Sequence, residues 1–220
     1  MNDLTLIIPA KNEAESLPVV LEELKKYDYK INVILHETDI ETIQSIKNYD
    51  AKIIYQKNFG YGDALIEGIN RCNTKFFCIF NADGSFDPSE LEKMHNTINN
   101  ANLDFLFASR YQANSGSDDD TIITKIGNFI FTLIGNILFK LKITDILYTF
   151  TMGRTDKAKM LNLSQKDFTF CVELPIKAKK SNMKISSISS YERKRIAGLK
   201  KVNAFKDGSL ILMHMVKLFF

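Results

Sequence analysis

Residues 79–90 read Ile-Phe-Asn-Ala-Asp-Gly-Ser-Phe-Asp-Pro-Ser-Glu, and this stretch carries the first chemistry of the chain. An apolar run, Phe76 to Phe80, stops at Asn81-Ala82-Asp83. Residues two apart on an extended chain point the same way, so Asn81 and Asp83 can present oxygen to one ligand. Oxygen donors suit a hard cation such as Mg²⁺ or Mn²⁺, which keeps several waters and clamps a diphosphate. Asp87-Pro88-Ser89-Glu90 has a structural reading instead: Asp87 as helix N-cap, Pro88 first in the helix and Glu90 closing a capping box. Asp83 therefore carries the chemistry and Asp87 starts a helix.

A second cluster is cationic. Arg193, Lys194, Arg195, Lys200, Lys201 and Lys206 crowd one stretch around Gly198, with Glu192 at its edge. Without apolar periodicity this reads as a loop, and guanidinium and ammonium groups on a loop suit phosphate. No aromatic residues interleave the charges closely, which argues against nucleic acid. Asp118-Asp119-Asp120 lies in the polar stretch 112–121 and reads as a solvated loop leading into a helix.

The elements that must position these groups follow from hydrophobic patterning. Strands are expected at Leu4–Pro9, Ile31–Leu35, Lys52–Tyr55, Phe76–Phe80 and Phe105–Ala108. Helices are expected at Glu15–Lys26, Ile40–Asn48, Asp63–Arg71 and Pro88–Asn99. Short apolar strands alternating with helices imply an α/β fold with a mostly parallel, doubly wound sheet. Ligands of such sheets bind outside the carboxyl ends of the strands, where Pro9–Glu13 and Asn81–Asp83 would meet. With 220 residues, 45% hydrophobic and 25% charged, the chain is one ordinary globular domain spanning 1–220.

A net charge of +3 is too small to argue for nucleic acid, and Cys72, Cys78 and Cys171 lack metal spacing. They read as reduced thiols of a cytoplasmic protein. Met1-Asn2-Asp3 runs into a strand without a basic leader, and no run of about 18 apolar residues is present, so no membrane-crossing helix is expected. Two segments are nonetheless unusually apolar, 126–143 and 209–220. In the first, Asn128, Thr132, Asn136 and Lys140 form a narrow polar stripe on an otherwise apolar helix. Such a helix is either central core or lies against both protein and lipid.

Taken together, these motifs resemble glycosyltransferase family 2, most closely its dolichyl- and polyprenyl-phosphate sugar synthase branch. The resemblance runs from Leu6-Ile7-Ile8-Pro9-Ala10-Lys11-Asn12-Glu13 through Gly60-Tyr61-Gly62-Asp63-Ala64, Asn81-Ala82-Asp83-Gly84-Ser85 and Ser109-Arg110-Tyr111. It continues in Asp145–Arg154, Phe170–Ala178 and Arg195-Ile196-Ala197-Gly198-Leu199-Lys200-Lys201. Asn81 stands where the family has a first acid, and His36-Glu37-Thr38-Asp39 where it has Asp-Asp-x-Ser.

What the resemblance implies is a Rossmann-like GT-A fold, a mostly parallel sheet flanked by helices. It implies inverting transfer of a sugar from a nucleotide-diphosphate donor to an acceptor, a polyprenyl phosphate in this branch. Pro9, Lys11, Asn12, Glu13, Glu37, Gly62, Ala82 and Lys201 would bind the nucleotide sugar. Asn81, Asp83 and Ser85 would hold Mg²⁺ or Mn²⁺. Asp83, Arg110, Asp145 and Arg195 would serve catalysis, with Asp145 or Glu173 as base for a hydroxyl acceptor. The protein would then sit peripherally at the cytoplasmic face of a membrane. Competing readings are a sugar-nucleotide pyrophosphorylase, whose opening Gly-rich loop is absent here, and a binding protein without turnover.

Overall fold

The computed structural model of the chain describes residues 3–197 and 204–220. Gly198 to Lys201, including the expected phosphate ligand Lys201, lie outside the described residues.

A seven-stranded sheet forms the centre. In chain order its strands are β1 (Leu4–Pro9), β2 (Lys30–Leu35), β3 (Lys52–Tyr55), β4 (Phe76–Ile79), β5 (Phe105–Ser109), β7 (Thr151–Arg154) and β8 (Ile185–Ser189), while β6 (Gly116–Ser117) and β9 (Tyr191–Glu192) pair separately. The spatial order is β3-β2-β1-β4-β7-β5-β8. Only β7 runs antiparallel to its neighbours, wedged between β4 and β5. The sheet is thus mostly parallel, as the patterning predicts.

Both faces are covered, so the strands are buried without alternation: β4 is buried along its whole length and β1 up to its last residue. One face packs Leu6, Ile8 and Phe80 against α1 (Leu17–Leu24) and α4 (Glu90–Asn100). The other packs Ile7, Ile34 and Phe77 against α3 (Tyr61–Arg71), α6 (Thr155–Met160) and α7 (Phe170–Lys180). The short α2 (Ile40–Ser45) follows β2. Two further helices, α5 (Ile122–Phe139) and α8 (Ala204–Phe219), pack on each other and on α7 as an outer layer.

Three expectations are corrected. The helix expected at Glu15–Lys26 begins only at Leu17, because Ser16 donates its hydroxyl to Glu13 instead of capping. The capping box at Asp87 does not form. Ser89 is the N-cap of α4, Asp87 Oδ1 accepts from the Ser89 amide at 2.9 Å, and Glu90 Oε1 instead accepts from the Tyr191 amide at 2.9 Å.

The apolar helix expected at 126–143 is shifted towards the N-terminus. Thr121 and Thr124 cap its start reciprocally, each hydroxyl accepting the other's amide, at 3.2 and 2.9 Å. Lys140 ends it in the left-handed region with φ 55°. At 18 residues, α5 is long and apolar enough by composition to cross a membrane, contrary to the sequence expectation. Its polar stripe is instead bonded to the domain. Asn136 clasps both backbone groups of Ile143 at 2.8 and 3.1 Å, Thr132 accepts from the Ile146 amide at 3.1 Å, and Asn128 from the Leu147 amide at 3.2 Å.

Candidate active site

The carboxyl ends of β1, β2 and β4 open into a cleft of about 640 Å³. Parallel pairing of β1 with β4 brings Pro9–Glu13 and Asn81–Ser85 side by side in it. The first loop is fixed by its neighbour. Asn12, at φ 54°, donates its amide to Asp39 Oδ2 at 2.7 Å, and the Glu13 amide donates to Thr42 Oγ1 at 3.0 Å. Asp39 Oδ1 meanwhile accepts from the Thr42 amide, capping α2.

The second loop is a tight turn. Asp83 Oδ1 accepts from the Ser85 amide at 3.0 Å, and Asn81 Oδ1 from the Phe86 amide at 3.3 Å. The Asn81 amide nitrogen donates to Ser85 Oγ. Gly84 sits at φ 82°, which favours glycine, and a Cβ there would displace the end of the exposed Ile196 side chain. The segment 193–196 pairs with this turn: the Arg193 amide donates to Ser85 O and the Ile196 amide to Asp83 O, both at 2.8 Å.

Two arginines face the cleft. Arg110, nearly buried, donates to both Asp145 oxygens at 2.8 and 3.1 Å and to Glu192 at 3.1 Å, with Tyr148 stacked at 4.6 Å. Burial alone would lower its pKa. The two carboxylates outweigh this and hold it charged. Three of its five N–H groups are used, leaving one on each terminal nitrogen. Arg195 is bidentate to Asp119, at 2.8 and 3.2 Å, with Nη1 3.7 Å from Asp83 Oδ2. Arg193 has a different role: it ties Glu23 and Phe86 O at 2.8 Å and so holds the turn rather than facing the cleft.

Most of the expected site residues meet here: Pro9, Lys11, Asn12, Glu13, Asn81, Ala82, Asp83, Ser85, Arg110 and Arg195 all line the cleft. Four do not. Asp145 lies behind Arg110, its oxygens accepting from that side chain, the Arg110 and Tyr148 amides and Asn128 Nδ2 at 2.7 Å, so it holds Arg110 and does not line the cleft. Glu37 is exposed and outside the cleft, whereas its neighbours His36, Thr38 and Asp39 line it. Gly62 is behind the wall, where a Cβ would stand 2.2 Å from Gln165 O. Lys201 lies outside the described residues.

Glu173 proves structural. It is fully buried and accepts from Ser164 N, Ser164 Oγ, Gln165 N and, at 2.7 Å, Lys177 Nζ. Burial would raise its pKa, but the lysine and the amides hold it below the ordinary value. It thereby fixes the loop against which Gly60 and Gly62 pack.

Sequence reasoning missed several lining groups. Asp119 and Asp120 are not a solvated loop: pairing of β6 with β9 turns both towards the cleft, where Asp120 accepts from the Tyr111 and Thr124 hydroxyls. His36 stacks on Phe59 at 4.1 Å on the β2 side. No local signal marks either contact, since both join segments far apart in sequence. Cys171 also lines the cleft, and burial pushes its thiol up to about 12, so it stays protonated at neutral pH and is no nucleophile.

Among the described residues no cluster of three or more His, Cys, Asp or Glu has metal-holding geometry. The donors at the turn are oxygen only: one carboxylate, one hydroxyl and one amide. That set fits a hard cation completed by waters and ligand phosphate, and does not fit a soft metal held by protein alone.

The fold has known counterparts. An uncharacterised protein of Methanocaldococcus jannaschii is 25% identical over 195 residues, covering 85% of this chain and 80% of its own. A UDP-N-acetylglucosamine–dolichyl-phosphate N-acetylglucosaminyltransferase of Methanococcus voltae is 24% identical over 207 residues, 83% of this chain and 82% of that one. Glucosyl-3-phosphoglycerate synthase of Mycobacterium tuberculosis, solved with Mn²⁺, uridine diphosphate and glucosyl-3-phosphoglycerate, superposes with a TM-score of 0.77 at 10% identity. The match covers 99% of this chain and 80% of that one, and it shows the shared GT-A fold. Residues 5–161 match the family model of glycosyl transferase family 2, and the chain belongs to that family.

Proposed function

We propose that this glycosyltransferase moves a sugar, with inversion, from a nucleotide-diphosphate donor to a polyprenyl phosphate at the cytoplasmic face of a membrane. One observation carries the choice of acceptor. The carboxylates lining the cleft are engaged: Glu13 with Ser16, Asp39 with Asn12 and Thr42, Asp83 with Ser85, Asp119 with Arg195. Asp120 is held by Tyr111 and Thr124, Asp167 by Thr169, and Glu192 by Arg110 and Ser117. Asp207 is partnered too. A hydroxyl acceptor needs a base to take its proton, and His36, the histidine among the described residues lining the cleft, is bonded to Thr38 and stacked on Phe59. A phosphate acceptor arrives already anionic and needs none. The name of the Methanococcus voltae relative points the same way.

In this reading Asp83, helped by Ser85 and Asn81, would hold Mg²⁺ or Mn²⁺, which when bound would supply Lewis-acid neutralisation of charge on the leaving group. The acceptor's phosphate oxygen attacks the anomeric carbon opposite the diphosphate, a new C–O bond forms, and the nucleotide diphosphate departs with the bonding electrons. Arg110 offers its two remaining N–H groups to phosphate oxygens. Arg195, bracketed by Asp119 and Asp83, exchanges a carboxylate for phosphate when the donor enters, a preorganised cation at a site of developing charge. Pro9, Lys11, Asn12, Glu13 and Ala82 frame the nucleotide, and Lys201 adds a further cation.

The test is transfer from candidate nucleotide sugars to polyprenyl phosphate and, separately, to 3-phosphoglycerate. Asp83→Ala should lose at least about 100-fold of metal-dependent transfer. Asp87→Ala should keep the activity and lose about 1 kcal/mol of stability, the worth of its bond from the Ser89 amide. Transfer to 3-phosphoglycerate with none to the lipid reverses the acceptor, and equal loss in both variants removes Asp83 from its role.

A further inference from the structure

α5 is built inside out. Its buried residues are Asn128, Thr132, Gly135 and Phe139. On the opposite face, at helical spacing, stand Ile126, Phe129, Leu133 and Ile137, with Phe129 and Ile137 each 66% exposed. α8, which packs on α5, also exposes Leu212 and Val216, while its buried Ile211 and Met215 anchor it to the core. Exposed apolar residues repeated at helical spacing on two packed helices mark an interaction site rather than ordinary scatter.

The rim selects the occupant. Lys125, Lys206 and Lys217 on α5 and α8, and Lys140 and Lys142 at and just past the end of α5, are exposed. α5 holds no acidic residue, and the single acid of α8, Asp207, lines the cleft. A second copy related by a two-fold axis would bring lysine rims together. An anionic bilayer complements them while its acyl region takes the isoleucines and phenylalanines. The placement relative to the cleft agrees: Thr124 and Asn128 of α5 and Asp207 of α8 form part of its wall.

We infer that the outward faces of α5 and α8 are a docking surface for an anionic lipid bilayer, lying in the interface plane without crossing it. The helices that wall the cleft would then hold its mouth beside the lipid headgroups. This deepens the proposed function by giving the acceptor's tail a place, and it stands on surface chemistry that sugar transfer does not use.

The experiment is co-sedimentation of the full chain with vesicles of phosphatidylcholine alone and of phosphatidylcholine with phosphatidylglycerol, at low and high salt. The wild type should bind the anionic vesicles more tightly. A triple variant, Ile126→Ser, Phe129→Ser and Ile137→Ser, should lose at least tenfold on them while keeping its unfolding temperature. Lys140→Gln with Lys142→Gln should lose about fivefold per lysine, on anionic vesicles only.

Undiminished vesicle binding by the triple variant overturns the surface, and so does absence of wild-type binding to either vesicle. A wild-type dimer in vesicle-free solution, dissociated by the triple variant, overturns it in favour of a second copy. Uridine diphosphate binding with Mn²⁺ is measured alongside, without vesicles. If it persists while vesicle binding is absent, only the docking surface falls. If it is absent while vesicles bind, it is the sugar-transfer reading that falls.

Discussion

Helices α3 and α5 both run into the cleft, yet they obey opposite rules. α3 buries Ala64, Leu65, Gly68 and Ile69 on the sheet and turns Glu67 and Arg71 outward as an ion pair at 2.9 Å. α5 buries Asn128 and Thr132 and turns Ile126, Phe129 and Ile137 outward. The difference lies in what each helix covers. Under α3 are the side chains Ile7 and Ile34, which offer only apolar contact. Under α5 is the irregular segment 143–147, whose backbone groups need partners once buried. A stripe of like residues therefore identifies a face of a helix, and the neighbour decides whether that face points in.

Substitutions on the two inward faces should break the comparison if it is wrong, and they carry the largest effects. Leu65→Ala should cost about 3–4 kcal/mol in denaturant unfolding, as a fully buried leucine does. Asn128→Leu should cost about 3 kcal/mol although it makes the interior more apolar, because the Leu147 amide and Asp145 lose partners. It should also weaken the hold of Asp145 on Arg110. A stability gain in Asn128→Leu would show that the polar stripe is incidental.

Glu173 of α7 extends the rule to a third helix, since a buried acid there serves a loop backbone. Glu173→Gln should cost about 2–3 kcal/mol at neutral pH. The sign with pH follows from its depressed pKa. The folded form binds the proton less readily than the unfolded chain, so this stability is present above the ordinary carboxylate range. It fades as pH falls through the folded value. Unfolding curves of wild type and variant should therefore converge on acidification, and a constant gap would assign the loss to packing alone.

Smaller effects sharpen the outward side. Thr121→Ala removes the α5 capping box and should cost about 1 kcal/mol. Leu133→Ser, on the outward apolar face, should stay within about 0.5 kcal/mol in solution without vesicles. A cost of several kcal/mol there would mean that protein already covers that face.

The sequence makes some of this legible and hides the rest for physical reasons. β1 has the expected bounds, and Asp83 stands where an apolar run stops, because a buried parallel strand is a local signal; the edge strand β3 also has its expected bounds. The four-residue stripe of α5 is equally visible, but its direction depends on a segment folded back onto it. Asp87 and Glu90 have capping spacing, yet Glu90 is taken by Tyr191, about a hundred residues away. Asp119 and Asp120 read as solvated because the two-residue strand that orients them has its partner at Tyr191–Glu192. Glu37 fits the motif position better than His36, while the backbone turn after β2 sends His36 into the cleft.

The antiparallel strand β7 has a consequence for how the chain is made. It separates β4 from β5, so both keep open edges until residues 151–154 have been synthesised, about seventy residues after β4. At about 5–20 residues per second that is an interval on the order of ten seconds, during which apolar edges could pair wrongly. The sheet beside Asp83 therefore closes late, and a chain stopped short of Arg154 would carry the cleft's first half on an unfinished, association-prone scaffold.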